Sequence, residues 1–375
     1  MKLKKTILTI SHQNKGHGTF PRHERMALTL QKKGFDVIWI SPKGNKNKNF
    51  INLDLAMNFI PNFLFLGIYF KVLITCVLNL RKIIQVDYLL AVREYDAISL
   101  FYNPFFFKSR KIFFSRGDVI SILKINLPDK NFLEKLKDNL VIFIYPYLQK
   151  IIHKKLDLII FQAKFLRNLY FKRIKIDNFK TKILPNECNS LKYLHAKKNS
   201  KKLVTIGFAA PMYWSCKGLN NIVNIINYQN KIKNIEYKFR IAGDGPHLSK
   251  LKVNLNNHSK SKIKFLGWKK NIYNFLSSID LLIVTSNFDS NPNMILEALS
   301  CNKIILATNI KAHKAILNYK ELMFKKNQIK FLYDKIYKIN NNQIYKKKIK
   351  KIIQITKERN SFNWENHFYK IIKEC

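Results

Sequence analysis

The stretch Leu281-Leu282-Ile283-Val284-Thr285-Ser286-Asn287-Phe288-Asp289-Ser290-Asn291-Pro292-Asn293-Met294-Ile295-Leu296-Glu297-Ala298-Leu299, followed by Lys303–Ala307, decides the fold. An unbroken apolar run of strand length ends in a polar loop. A helix then opens near Pro292, and a second apolar run follows it. Apolar runs without alternation belong to strands covered on both faces, and a helix between two of them is a crossover between parallel strands. Pro292 near the first turn suits a helix start, where its missing N–H is not needed. Asn302 stands where the helix must stop, and Asn tolerates the left-handed conformation expected there. The N–H groups of Asn293 and Met294 open the helix, at an end that favours an anion. Asp289 lies in the loop and Glu297 one to two turns into the helix. Both fall at the carboxyl edge of the sheet, where open α/β sheets bind ligands.

The same alternation extends in both directions. Downstream of a Lys-rich linker at 192–202, strands are expected at Leu203–Phe208, Tyr237–Ala242, Ile263–Leu266, Leu281–Thr285 and Lys303–Ala307. Upstream, they are expected at Thr6–Ser11, Phe35–Ser41, Asp87–Val92, Lys111–Ser115 and Leu156–Gln162, with a helix over 21–33 that Gly34 stops. The chain has 375 residues, 47% of them hydrophobic, which suits two such domains. The tail from Asn340 to Lys357 reads as a solvated helix. Residues 59–80 are mostly apolar but carry Pro61, Asn62 and Lys71. They read as a buried helix leading to the strand at Tyr88, with shallow insertion into one leaflet left open.

Composition narrows the function. Lys and Arg number 68 against 23 Asp and Glu, a formal net charge of +45. Codon bias explains much of this: Lys, Asn and Ile are abundant throughout, and Gly and Pro number only 11 and 10. The remainder suits phosphate-bearing substrates and an anionic membrane surface. The lysines form no single stripe, and no helix-turn-helix, zinc-finger or RNP signature accompanies them, so nucleic acid is not the expected partner. Cys76, Cys188, Cys216, Cys301 and Cys375 are scattered without a C-x-x-C pair, which fits a reducing cytoplasm and neither a zinc site nor a disulfide framework. The basic start Met1–Lys5 is followed by too short an apolar run for a signal peptide and reads as the entry to the first strand.

Further motifs stand in a fixed order. Gly16-His17-Gly18 follows the first strand. Arg22 and Arg25 lie in the helix after it, and Arg116-Gly117-Asp118 ends a strand. Ile183-Leu184-Pro185-Asn186 closes the first series. In the second, Gly207 precedes Lys217-Gly218, then come Ile241-Ala242-Gly243-Asp244-Gly245-Pro246 and Phe265-Leu266-Gly267-Trp268. With Asp289-x7-Glu297, Ala298 and Ala307-Thr308, this order resembles the retaining GT-B glycosyltransferases related to sucrose synthase and bacterial mannosyltransferases, the family 4 type or glycosyl transferases group 1. The likeness is strong over 183–310, moderate over 1–45 and weak over 45–110. Asp289 departs from the usual Glu, Asn302 from Gly and Ile304 from Pro. Phe208-Ala209-Ala210 stands where the family has an Arg, and no His stands near Arg116.

The resemblance implies a GT-B fold, with two Rossmann-like α/β domains whose parallel sheets face a central cleft. It implies an acceptor domain over 1–187, a donor domain over 188–360 and a helix over 361–375, around Phe362-Asn363-Trp364-Glu365, crossing back to the first domain. Glu297 is then expected on the ribose, Asp289 on the sugar and Lys217 on the pyrophosphate. Gly16, Gly18, Gly243, Gly245, Gly267, Trp268, Asn291, Asn293 and Met294 line the donor, and His17, Arg116 and Asp118 the acceptor. A sugar passes with retention from a nucleoside diphosphate sugar to a hydroxyl of a glycan or lipid-linked acceptor of the bacterial envelope. The expected enzyme, a hexosyl- or N-acetylhexosaminyl-transferase, works in the cytoplasm or on the inner face of the membrane. No D-x-D motif asks for a metal, and no cofactor is expected beyond the co-substrate. Two rival readings stay open: an epimerase or phosphorylating enzyme of the same fold, and a basic nucleic-acid- or membrane-binding module with a degenerate sugar site.

Overall fold

The computed structural model describes residues 4–11, 20–42, 47–57, 66–176, 179–188, 205–229, 232, 237–256 and 262–375. The chain forms two compact units. Unit 1 comprises Met1–Asp118, Leu140–Pro185 and Asn363–Cys375, and unit 2 comprises Val119–Asn139 and Asn186–Phe362. Residues 119–139, expected with the first domain, group with unit 2. The expected linker at 192–202 lies outside the described residues.

Unit 1 is built on a seven-stranded sheet. Its strands are β1 (Thr6–Ile10), β2 (Asp36–Ser41), β3 (Ile51–Asp54), β4 (Tyr88–Ala91), β5 (Arg110–Ser115), β6 (Leu158–Phe161) and β7 (Thr181–Ile183). They run in the order β3-β2-β1-β4-β5-β6-β7, every pairing parallel. The register sets Ile7 against Val37 on one side of β1 and Tyr88 on the other. β4 and β6 are buried along their whole length, as strands covered on both faces must be. The last helix, Trp364–Lys373, belongs to this unit and packs on the Phe20–Lys32 helix. Arg25 joins the two, 3.4 Å from Glu365 and 5.1 Å from the centre of the Trp364 ring.

Unit 2 carries six parallel strands. They are β8 (Thr205–Ala209), β9 (Lys238–Ala242), β10 (Lys262–Phe265), β11 (Leu281–Val284), β12 (Ile304–Thr308) and β13 (Met323–Phe324), in the order β10-β9-β8-β11-β12-β13. The order reverses between β8 and β11, the switch point at which such sheets open a ligand crevice. β11 and β12 are wholly buried and are joined by the Asn293–Ser300 helix. Asn302 has φ +51° beyond that helix, the left-handed residue its sequence position calls for.

Three strands escape the sequence reading. β3 alternates over only four residues, and β7 and β13 are edge strands of three and two residues. Two helices differ in character from expectation. Gln343–Arg359 is not a solvated tail, because Ile349, Ile352 and Ile353 enter the unit 2 core. In the described part of 59–80, the Leu66–Leu78 helix buries Ile68, Val72 and Cys76 but leaves Phe70, Val77 and Leu78 exposed.

Candidate active site

Lys217 and Asp289 meet in unit 2. The Lys217 ammonium donates to an Asp289 carboxylate oxygen at 2.6 Å, with side-chain exposures of 18% and 15%. Lys217 ends the short helix Trp214–Lys217, which follows β8, and Asp289 lies in the loop after β11. Backbone contacts hold the two segments together. Asn287 and Phe288 donate their N–H groups to the Cys216 carbonyl, and the Thr285 hydroxyl donates to the Lys217 carbonyl. Gly218, at φ +62°, lets this join close, since a Cβ there would lie 2.2 Å from the Thr285 carbonyl oxygen.

The N–H groups that open the Trp214–Lys217 helix are all taken. His247 accepts from Trp214, Asp129 from Ser215 and Asn126 from Cys216. What this segment offers a phosphate is therefore the Lys217 ammonium, a point cation. Asn126 and Asp129 explain why residues 119–139 sit with unit 2. No sequence motif marks them as caps of a helix so far along the chain.

A third group completes the cluster. His313 lies on the Lys311–Leu317 helix after β12, and its side chain is fully buried. Its Nε2 is 3.8 Å from the second Asp289 oxygen and has no hydrogen-bond partner. The other ring nitrogen, Nδ1, donates to the Thr308 carbonyl at 2.7 Å, because the Thr308 hydroxyl proton already goes to the Ser286 carbonyl. The ring is thus oriented with Nε2 towards the carboxylate. Burial pushes the Asp289 carboxyl up, but the Lys217 ammonium and His313 outweigh it and hold it well below the usual carboxylate range. The sequence offered no signal for His313: a lone histidine on a helix has no spacing partner.

Glu297 is half-buried on the Asn293–Ser300 helix. The Asn293 side chain accepts from the Asn186 amide at 2.9 Å, so Asn186, at the end of the segment expected to close the first domain, braces this helix start. Trp268 is exposed beside Gly267, whose carbonyl accepts from the Gly243 N–H beyond β9. Gly243 and Gly245 admit the chain's own backbone: a Cβ on Gly243 would lie 1.9 Å from the Ala210 carbonyl oxygen, and one on Gly245 2.8 Å from the Met212 nitrogen. With φ at +131°, Gly243→Ala is expected to lower unfolding stability by at least about 2 kcal/mol in urea titrations. An unchanged midpoint would show that the 210–212 segment gives way freely.

In unit 1, Gly16, His17 and Gly18 lie outside the described residues. Asp118 is buried and bound by Arg173 at 2.8 Å. Arg173 also donates to Gln149, which donates to the buried Glu94. This network employs Asp118 structurally, and burial pushes the Glu94 carboxyl up. Burial, and then the neighbouring Arg22, pull the Arg116 guanidinium down from its ordinary value. Among the described residues no His, Cys, Asp and Glu cluster could hold a metal ion.

Residues 204–342 match the family model of glycosyl transferases group 1. An uncharacterized glycosyltransferase of Methanocaldococcus jannaschii is 28% identical over 120 residues, a match spanning 31% of this chain and 34% of that relative. Sucrose-phosphate synthase from Thermosynechococcus elongatus superposes with a TM-score of 0.74 at 13% identity, over 99% of this chain and 98% of that one. Anabaena HepE in complex with UDP-glucose gives 0.69 at 13%, over 99% and 100%. The lipopolysaccharide outer core galactosyltransferase WaaB gives 0.67 at 12%, over 99% and 100%. The chain therefore has the GT-B fold, and its second unit is similar to the glycosyl transferases of group 1.

Proposed function

We propose that this chain is a glycosyltransferase that moves a hexosyl or N-acetylhexosaminyl group from a nucleoside diphosphate sugar to a hydroxyl of a bacterial envelope glycan or its lipid-linked precursor. The observation that carries the reading is the Lys217–Asp289 pair with buried His313, set beyond the carboxyl ends of β8, β11 and β12 at the switch point. A cation and an anion so placed serve the two ends of one donor. Lys217 stabilises the departing diphosphate, where negative charge grows. Asp289 accepts hydrogen bonds from the sugar hydroxyls and faces the positive charge that develops at the anomeric carbon. Retention follows if the acceptor hydroxyl attacks from the leaving-group side and passes its proton to the departing phosphate oxygen, with no second carboxylate required.

Donor recognition falls to Glu297 on the ribose and to Gly267 and Trp268 near the base. UDP-sugars are the first donors to try, because the similar structure of HepE is a complex with UDP-glucose. Lipopolysaccharide, capsule and lipid-linked oligosaccharide are the acceptor classes to try, WaaB acting in the first of these. Arg116, with Arg22 near it, is the unit 1 group proposed for an anionic acceptor. No metal or cofactor is invoked.

The test is a thermal-shift panel of nucleoside diphosphates and their sugars. Ligand at about 100 times its Kd raises stability by roughly 2.7 kcal/mol. Silence across the panel, together with no release of diphosphate from any donor, would overturn the reading. Glu297→Ala is expected to lower transfer by about tenfold to a hundredfold at an unchanged melting temperature, a loss of order 1.4–2.7 kcal/mol of binding. Wild-type kinetics in that variant would remove Glu297 from the donor site.

A further inference from the structure

Unit 1 presents one surface that is both apolar and cationic. On the Phe132–His153 helix, Leu140, Phe143, Tyr147 and Ile151 repeat at three- and four-residue spacing, so they share one face. All four are exposed, Phe143 by 66%. The Leu66–Leu78 helix exposes Leu66, Phe70 and Val77 at the same kind of spacing. Between the two helices, Phe105 and Phe107 stand out after the Glu94–Phe101 helix, Phe107 by 81%.

Three contacts bring these segments together. The Tyr69 hydroxyl donates to the Tyr102 carbonyl at 3.3 Å, and the Tyr102 hydroxyl donates to the Ile151 carbonyl at 2.8 Å. The Lys155 ammonium sits 5.7 Å from the centre of the Tyr102 ring. Residues 66–86, 97–110 and 140–155 contain no Asp or Glu but include Arg81, Lys82, Lys108, Lys150, Lys154 and Lys155. Contiguous exposed apolar surface marks an interaction site. A face free of acid and flanked by cations whose stems can lie along the apolar groups matches one environment in particular: acyl chains under anionic headgroups. Among the described residues no helix is long and apolar enough to cross a membrane.

We propose that this face of unit 1 docks on anionic bilayers, with Phe107 and Phe143 inserted at the headgroup–acyl boundary and the lysines on the headgroups. The proposal stands apart from the sugar-transfer reading, since none of its residues lies in the unit 2 cluster.

Flotation of the full chain with phosphatidylcholine vesicles, with and without phosphatidylglycerol, tests it. Wild type binds the anionic vesicles, and salt weakens binding without abolishing it, because the apolar part is not screened. Phe107→Glu and Phe143→Glu each lower high-salt binding at least about tenfold, while Lys150→Glu with Lys154→Glu lowers low-salt binding alone. Each variant keeps the wild-type melting temperature and response to nucleoside diphosphates, which checks folding and the donor site separately. No binding by the wild type, or wild-type binding by both Phe variants, would overturn the proposal. So would a wild-type dimer that either Phe variant converts to monomer without altering flotation, since the face would then join two copies of this chain.

Discussion

Asp289→Asn is expected to lower sugar transfer by about a hundredfold to a thousandfold, the usual loss when one preorganised electrostatic group is removed, while the chain stays folded. The amide keeps the shape of the carboxylate but not its charge. His313 Nε2, held towards Asp289 by the Nδ1 bond to Thr308, then faces a neutral group. Lys217 also loses its 2.6 Å partner. That second change separates two roles. In the free protein the Asp289 carboxylate occupies the Lys217 ammonium, so a donor diphosphate competes with it. Asp289→Asn removes the competitor, and affinity for nucleoside diphosphate should be unchanged or higher even as transfer collapses. Calorimetric Kd and single-turnover rates measured together decide this. A parallel fall of affinity and rate would mean that Asp289 serves only to hold Lys217 in position.

Lys217→Ala reverses that pattern, with affinity for nucleoside diphosphate and for the sugar donor falling together by about tenfold to a hundredfold, or 1.4–2.7 kcal/mol. Stability falls as well. Asp289 would be left as a carboxylate of 15% exposure without its cation, and breaking a buried pair from one side costs about 3 kcal/mol. The pH course has a defined sign. A carboxyl held below its ordinary value contributes stability that is present above the unfolded-state value near 4 and is lost as pH falls through the lower folded value. The gap between wild type and Lys217→Ala should therefore be full at neutral pH and narrow only in acid. Lys217→Ala combined with Asp289→Ala is the control. If the double variant regains stability but not affinity, the stability loss came from the stranded carboxylate and the affinity loss from the missing cation. Recovery of both would leave Lys217 as a structural counter-ion alone.

What the sequence determined by itself is the series of elements and one edge of the site. Buried parallel strands announce themselves as unbroken apolar runs, so β4, β6, β11 and β12 were legible, as was the loop-to-helix turn that carries Asp289 and Glu297. The φ of +51° at Asn302 was legible too, because a helix end imposes a local rule. Short edge strands carry almost no pattern, and β3, β7 and β13 needed the sheet to define them.

Only the tertiary structure decided what faces Asp289. Lys217 reaches it because Gly218 lets the end of one helix press against the end of β11, and His313 reaches it from beyond β12. Only folding showed that Asp118 is taken by Arg173, and that Asn126 and Asp129 cap the helix bearing Lys217. The exposed face of Leu140, Phe143, Tyr147 and Ile151 belongs here as well. Periodicity places such residues on one side of a helix, but whether that side meets a core or solvent depends on which elements pack against it. Local pattern is written in the chain because it arises between near neighbours. Charge pairing and exposure arise between segments far apart in sequence, and nothing short of the fold brings those together.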